Sequence, residues 1–227
     1  MKLSAQGIAK KYPRKLKDAN FFYAVQPTDF TLESGAVTEI IGRSGSGKTT
    51  LLNMLSGLLS PSEGQVLLDG EDLYSQEDKA LSVLRNQHLG VVPQGQTGLN
   101  SLTVLENVLL PYALYHKDNG AEAYAKELLE AVGIAALADA YPDELSGGEV
   151  RRLAIARALI MKPAIILADE PTGDLDDENT AVVLQLFRRL ADEGASVLMV
   201  THEAEAKQYA DHIYKMSSGT LEKVSEG

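Results

Sequence analysis

The chain has 227 residues, enough for one large α/β domain, alone or with a satellite subdomain, and for a sizeable core without covalent staples. It has no cysteine, which excludes disulfides and thiolate metal sites and fits a reducing compartment. Its 21 Lys and Arg against 32 Asp and Glu give a formal charge of −11, which disfavours non-specific binding to nucleic acid or anionic lipid. The N-terminus lacks the apolar segment of a secretory leader, and no window approaches the roughly 20 apolar residues of a membrane span.

In chain order, the basic cluster at residues 10–17 reads as a solvated loop. Residues 36–41 read as a buried strand ending at Gly42, and 49–59 as the helix after it. Residues 65–68, closed by Asp69-Gly70, predict a strand and turn of an antiparallel flank. Residues 89–92, 164–167 and 196–200 are further buried strands. Between 103 and 161 the pattern turns helical, with apolar residues at three- and four-residue spacing and Gly133 placed to end a helix. Strands alternating with helices predict a parallel sheet with crossover helices. The expected architecture is one domain: residues 1–93 and 162–227 form the core with its β flank, and 94–161 form an inserted helical lobe.

The motif GRSGSGKT at 42–49 joins a buried strand to an apolar-faced helix, the context a phosphate-binding loop requires. Gly42, Gly45 and Gly47 let the backbone curl with its N–H groups inward, and the helix adds positive charge at its N-terminus. Gly42, Arg43, Ser44, Gly45, Ser46, Gly47, Lys48, Thr49 and Thr50 are therefore candidate triphosphate ligands. Lys48 is expected on the β- and γ-phosphates, and the Thr49 hydroxyl on Mg²⁺. The strand at 164–167 runs into Ala168-Asp169-Glu170, and Pro171 stops it. Carboxylates at the carboxyl end of a parallel strand sit beside such a site. Asp169 is the candidate Mg²⁺ ligand and Glu170 the group that polarises the attacking water. Farther on, Ser146 caps a helix over 149–161, and Gly147-Gly148 expose its first N–H groups. Locally this is either a plain helix cap or a second anion site.

LSGGEVRRLAIARAL at 145–159 resembles the signature sequence of the ATP-binding-cassette (ABC) proteins, and the resemblance extends over essentially the entire chain. It implies a P-loop ATPase of RecA-like core with an antiparallel β flank and a helical signature subdomain. It further implies ATP and Mg²⁺ as ligands and a homodimer in which Ser146, Gly147 and Gly148 of one subunit close on the γ-phosphate held by the other. By the same resemblance Gln94 matches the glutamine that touches Mg²⁺ and hinges the lobe, and Gly173-Asp174-Leu175-Asp176 matches the loop that crosses the dimer. His202 matches the switch histidine at the γ-phosphate, and Tyr12 the aromatic that stacks on adenine, although Phe21, Phe22 and Tyr23 lie near it. Two positions depart from the pattern: Arg151 stands where a glutamine is usual, and Arg43 where a small residue or proline is usual.

Residues 101–115, with LSGGE and ADEPTGDLD, are most similar to the ATPases of lipoprotein-release, macrolide-export and cell-division cassettes. That subgroup implies the motor of a transport or mechanotransmission complex, peripheral on the cytoplasmic face of the cell membrane. Its partner would be an integral-membrane permease with few spans and a large ectodomain, received by the apolar stretch at 103–115, which could equally be lobe core. Neither nucleic-acid binding nor direct membrane insertion is expected. The alternative is a soluble non-transport cassette, such as an iron–sulfur assembly or cell-division regulator ATPase.

Overall fold

The computed structural model describes residues 1–16, 19–95, 97–202 and 204–224. Two sheets form. The first is antiparallel and contains β1 (Leu3–Leu16), β2 (Ala19–Leu32), β4 (Glu63–Leu68) and β5 (Glu71–Asp72) in the order β2-β1-β4-β5. The second contains β3 (Val37–Ile41), β6 (Leu89–Val92), β7 (Ile165–Asp169), β8 (Ser196–Val200), β9 (His212–Ser217) and β10 (Thr220–Lys223). Its order is β10-β9-β3-β8-β7-β6, parallel from β9 to β6, with β10 antiparallel at the edge. The helices are α1 (Lys48–Leu55), α2 (Asp78–His88), α3 (Val104–Ala113), α4 (Glu122–Ala131), α5 (Gly147–Leu159) and α6 (Asp177–Asp192).

The central strands read as unbroken apolar runs because both of their faces are covered. Side chains alternate by the two-residue period of a strand. Ile165, Leu167, Leu198 and Val200 pack with Leu51 and Leu55 of α1 and with the antiparallel sheet. Ile166, Ala168, Val197 and Met199 pack with Leu153 and Leu159 of α5 and Phe187 of α6. The core is thus two apolar layers on either side of one sheet.

Between β6 and β7 the described residues hold only helices and turns. The α3 helix opens on a capping box, Thr103 accepting from the Glu106 N–H and Glu106 from the Thr103 N–H. Asn107, fully buried, donates to the carbonyls of Leu99, Leu102 and Thr103 and accepts from the Leu99 N–H, fastening the loop after β6 to this helix. Gly133 comes just after α4 at φ +71° and closes it by donating to the Glu130 carbonyl. The Asp69-Gly70 turn has positive φ at both residues, the geometry of a tight hairpin between β4 and β5.

Two expectations change. Residues 10–16 of the basic cluster form the end of β1, where Lys11 pairs with Glu63 and Lys10 donates to the Ser60 carbonyl; Lys17 lies outside the described residues. The helix after the P-loop stops at Leu55 and not at 59, because Gly57 at φ +73° turns the chain out. No described helix is long and apolar enough to cross a membrane.

Glu39 is a fully buried carboxylate in the middle of β3, between Met199 and Ile213 in register, and neither oxygen has a hydrogen-bond partner among the described residues. Burial pushes its pKa up to about 7, against the opposing charge of Lys207. The folded state therefore holds this proton more tightly than the unfolded chain, which releases it near 4.5. Stability is expected to be highest below the unfolded value, to fall as pH rises toward 7, and to level off above it. Glu39→Met should remove that slope and raise stability at pH 8 by on the order of 3 kcal/mol. Urea titrations of both proteins from pH 5 to 8 test this, and parallel pH profiles would refute it.

Candidate functional site

The P-loop is built by close backbone approach. A Cβ at Gly47 would lie 2.2 Å from the Ala24 carbonyl, and one at Gly42 would lie 2.4 Å from that of Met216, so β2 and β9 wall the loop on two sides. The Ser218-Gly219 turn completes the wall, the Gly219 N–H donating to the Ser46 carbonyl at 2.9 Å. Lys48 opens α1 and is only 8 % exposed; its Nζ donates to the Gly42 carbonyl at 2.8 Å. A buried ammonium held by carbonyls, next to the free N–H groups of a helix start, is a site that attracts polyphosphate.

The loop opens into a cleft of about 920 Å³. Gly42, Arg43, Ser44, Gly45, Ser46, Gly47, Lys48, Thr49, Thr50, Gln94, Glu170 and His202 all line it. Asp169 ends β7 beneath this lining, 2 % exposed. Burial pushes its pKa up, opposed by a hydrogen bond from the Thr49 hydroxyl and by the charges of Lys48 and Arg151. One Asp169 oxygen and the Ser46 hydroxyl are buried with no hydrogen-bond partner among the described residues. Unsatisfied oxygens beside Thr49 fit a hard divalent cation, which binds oxygen and takes its other ligands from phosphate and water.

Glu170 leaves the strand with φ +50°, a left-handed conformation rare for a side chain of its size. Its N–H donates to the Val200 carbonyl at 2.7 Å, so β7 and β8 lock it in place. The turn brings Glu170 Oε2 within 3.0 Å of His202 Nδ1. An ionised carboxylate only accepts, so Nδ1 carries the proton of this bond. His202 is 71 % exposed on its side chain and Glu170 13 %, which places a covered carboxylate beside a ring open to the cleft.

Four sequence-predicted ligands lie elsewhere. Ser146 caps α5, accepting from the Glu149 N–H while Glu149 accepts from the Ser146 N–H and hydroxyl; these bonds hold the Glu149 pKa below its usual value. Neither Ser146, Gly147 nor Gly148 lines the cleft of its own chain. Tyr12 does not line it either. It faces Phe22 across the β1–β2 pair, ring centroids 5.9 Å apart, and Phe22, Tyr23 and Arg14 line the cleft instead.

The family model described as ABC transporter matches residues 25–173. The chain belongs to the ABC transporter family. The cassette is 44 % identical over 227 residues to the lipoprotein-releasing system ATP-binding protein LolD of a Shewanella species, strain MR-7, covering 99 % of this chain and 96 % of that one. LolD of Francisella tularensis is 40 % identical over 225 residues, 98 % of this chain and 96 % of its own. The macrolide export ATP-binding/permease protein MacB of Rhodopirellula baltica is 42 % identical over 195 residues, 84 % of this chain and 28 % of that protein. Among solved structures, the dimeric bacterial cassette MJ0796 matches with a TM-score of 0.90 at 33 % identity, covering 99 % of this chain and all of that one. Its post-hydrolysis dimer bound to ADP and Pi matches at 0.89 and 32 %. The cassette is an ATP-hydrolysing transporter subunit of the LolD and MacB kind, and not the soluble assembly ATPase that the sequence left as an alternative.

The cassette also shows site features that the sequence reading did not reach. Phe22 and Arg14 enter the cleft because Tyr12 and Phe22 are register partners, which depends on bulges in β1 that no local pattern marks. The Ser218-Gly219 turn is legible in retrospect from SSG between two strand-like runs, HIYKMS and TLEK. Arg151, noted only as a departure, is 5 % exposed, lines the cleft, donates to the Pro93 carbonyl at 3.0 Å and stands 4.0 Å from Asp174.

Proposed function

We propose that the cassette works as a homodimer closed around two ATP and drives an integral-membrane permease of the few-span, large-ectodomain type from the cytoplasmic face. The observation that carries this reading is the separation within one chain of the P-loop cleft from Ser146–Gly148, a second set of helix-start N–H groups. Each half lacks what the other offers, and a two-fold pair of chains supplies both. The MJ0796 cassette, similar over its full length, is a dimer.

Within that dimer Lys48 and the loop N–H groups hold the triphosphate, and Thr49, Asp169 and Gln94 would hold Mg²⁺. The cation supplies neutralisation of charge on the β- and γ-phosphate oxygens. Glu170 orients and polarises the attacking water, and His202 steadies the Glu170 carboxylate through Nδ1 while facing the γ-phosphate. Ser146, Gly147 and Gly148 of the second copy add donors where charge develops. The base stacks on Phe22, which presents its ring to the cleft with Arg14 over it at 5.3 Å, while Tyr12 backs Phe22.

The permease reading is supported by an apolar groove of about 350 Å³ between α2, α3 and α5. Leu58, Leu114 and Tyr115 line it and remain 55 %, 66 % and 44 % exposed, three large apolar side chains gathered at one surface. The relative MacB carries ATP-binding and permease parts in one polypeptide, of which the matched stretch is 28 %. A groove of this kind suits a short apolar-faced helix of a separate permease. Much of the 103–115 stretch does serve the lobe core, through Val104 and Val108; its far end supplies the groove.

Two outcomes are expected. Glu170→Gln should bind ATP yet lower turnover by about a hundredfold or more and accumulate as an ATP-dependent dimer in gel filtration; near-normal turnover would remove Glu170 from its role. Phe22→Ala should weaken ATP binding by about tenfold, the worth of one stacked base, and Tyr12→Ala by less. Calorimetry on both variants decides, and the reverse order would return the base to Tyr12.

A further inference from the structure

Arg151 stands where the family pattern has an uncharged glutamine, and it is buried yet lines the nucleotide cleft. A guanidinium keeps its charge in any protein setting, so its burial must be offset by partners. Among the described residues that offset is slight. Nη1 donates to the Pro93 carbonyl at 3.0 Å, and Nη2 stands 4.0 Å from the Asp174 carboxylate, beyond hydrogen-bond reach. Asp174 is itself 68 % exposed on its side chain, so water screens the pair. Five N–H donors in a fixed fork suit a phosphate better than one carbonyl and one distant carboxylate. Arg151 also sits at the phosphate end of the cleft. Its charge acts on Asp169 beneath the lining, and its anchor Pro93 directly precedes Gln94, whereas Arg14 lies over Phe22 at the other end. Asp169, Glu170 and Asp174 gather three carboxylates at that phosphate end, a field that repels the last charge of a triphosphate unless cations offset it.

We propose that Arg151 binds the γ-phosphate of ATP together with Lys48, and that this cassette thereby prefers triphosphate to diphosphate without help from Mg²⁺. The proposal rests on the assignment of Lys48 to the β- and γ-phosphates. Lys48 opens α1 and Arg151 belongs to α5, so the two cations reach the nucleotide from different elements. With ADP in the cleft the guanidinium has no γ-phosphate to meet and keeps only Asp174 and the Pro93 carbonyl. Asp174 therefore competes with the nucleotide for Arg151. Its φ of +70° is a conformation that asparagine adopts as readily, so its charge can be removed without disturbing the loop.

Calorimetry of ATP and ADP binding to the full chain in EDTA, which removes Mg²⁺ and stops hydrolysis, tests this. The parent chain should bind ATP at least about tenfold more tightly than ADP. Arg151→Gln should weaken ATP binding by about tenfold and ADP binding by less than about twofold, while Arg151→Lys keeps part of the preference. Asp174→Asn should tighten ATP binding severalfold with Arg151 present, and by less than about twofold when combined with Arg151→Gln. Thermal melting identifies any variant that fails to fold; Asp174 is exposed, so its variant decides if Arg151→Gln does not survive. Equal losses of ATP and ADP in Arg151→Gln would make Arg151 a structural anchor of the segment at Pro93 and overturn the proposal. No preference for ATP in the parent chain, or unchanged ATP binding in Asp174→Asn, would do the same. Failure of both nucleotides to bind the parent chain, or ATP binding that survives Lys48→Ala, would instead defeat the assignment of the cleft itself.

Discussion

The site depends on the register of three parallel strands. Ile40 of β3 stands opposite Val200 of β8, and Val200 stands opposite Asp169 of β7. The strands therefore end together, and their C-terminal continuations meet at a single edge: the P-loop after β3, Glu170 after β7, His202 after β8. A slip of two residues in either pair would move a group by about 7 Å and leave the carboxylate out of reach of the phosphate. Apolar burial on both faces enforces this register, because a slip of one residue would exchange the contents of the two core layers. Packing that looks remote from the chemistry is thus what aligns it.

At that edge the chain concentrates local costs that a structure without function would avoid. Glu170 is held at positive φ, one Asp169 oxygen is buried without a partner, and Lys48 spends its charge on loop carbonyls. A polyphosphate with its cation would relieve the last two, giving the orphaned oxygen a ligand and the ammonium an anion. The strain at Glu170 is retained because the Val200 carbonyl and the His202 ring both restrain it. Glu39 is a different matter. It is buried just before the P-loop and has no part in the cleft lining, so its cost is borne by the sheet alone.

Much of this edge is legible in the sequence, and for physical reasons. Residues 89–92 and 196–200 coincide with β6 and β8 because doubly buried strands are unbroken apolar runs with polar ends. The P-loop and the Ser146 cap are legible because backbone geometry demands particular residues there. The antiparallel flank is less so: β1 contains Gly7 and Pro13, shifts register several times, and hides its alternation. That is why residues 10–16 read as loop and why the sequence alone leaves the base shared between Tyr12 and the neighbouring Phe21, Phe22 and Tyr23. The α6 helix carried a visible signal, an Asp176 cap, an acidic first turn and Val183, Leu184, Phe187 and Ala191 at helical spacing, which the functional loop beside it obscured. The hydrogen bonds of Arg151 to Pro93 and of Arg157 to Thr97 join residues some sixty positions apart and have no local signature.

The central claim is that one chain holds only half of each hydrolytic site. Complementation tests it most directly, using Lys48→Ala, which disables the cradle, and Ser146→Arg, which blocks the second anion site while leaving the chain's own cleft untouched. Each variant alone should be inactive, yet mixing them equally should recover up to about a quarter of the unsubstituted rate, since half of the pairs are mixed and each has one intact site. Ser146→Arg should also bind ATP as a monomer with near-normal affinity. No recovery on mixing, or a loss of monomer binding as severe as that of Lys48→Ala, would contradict the shared site.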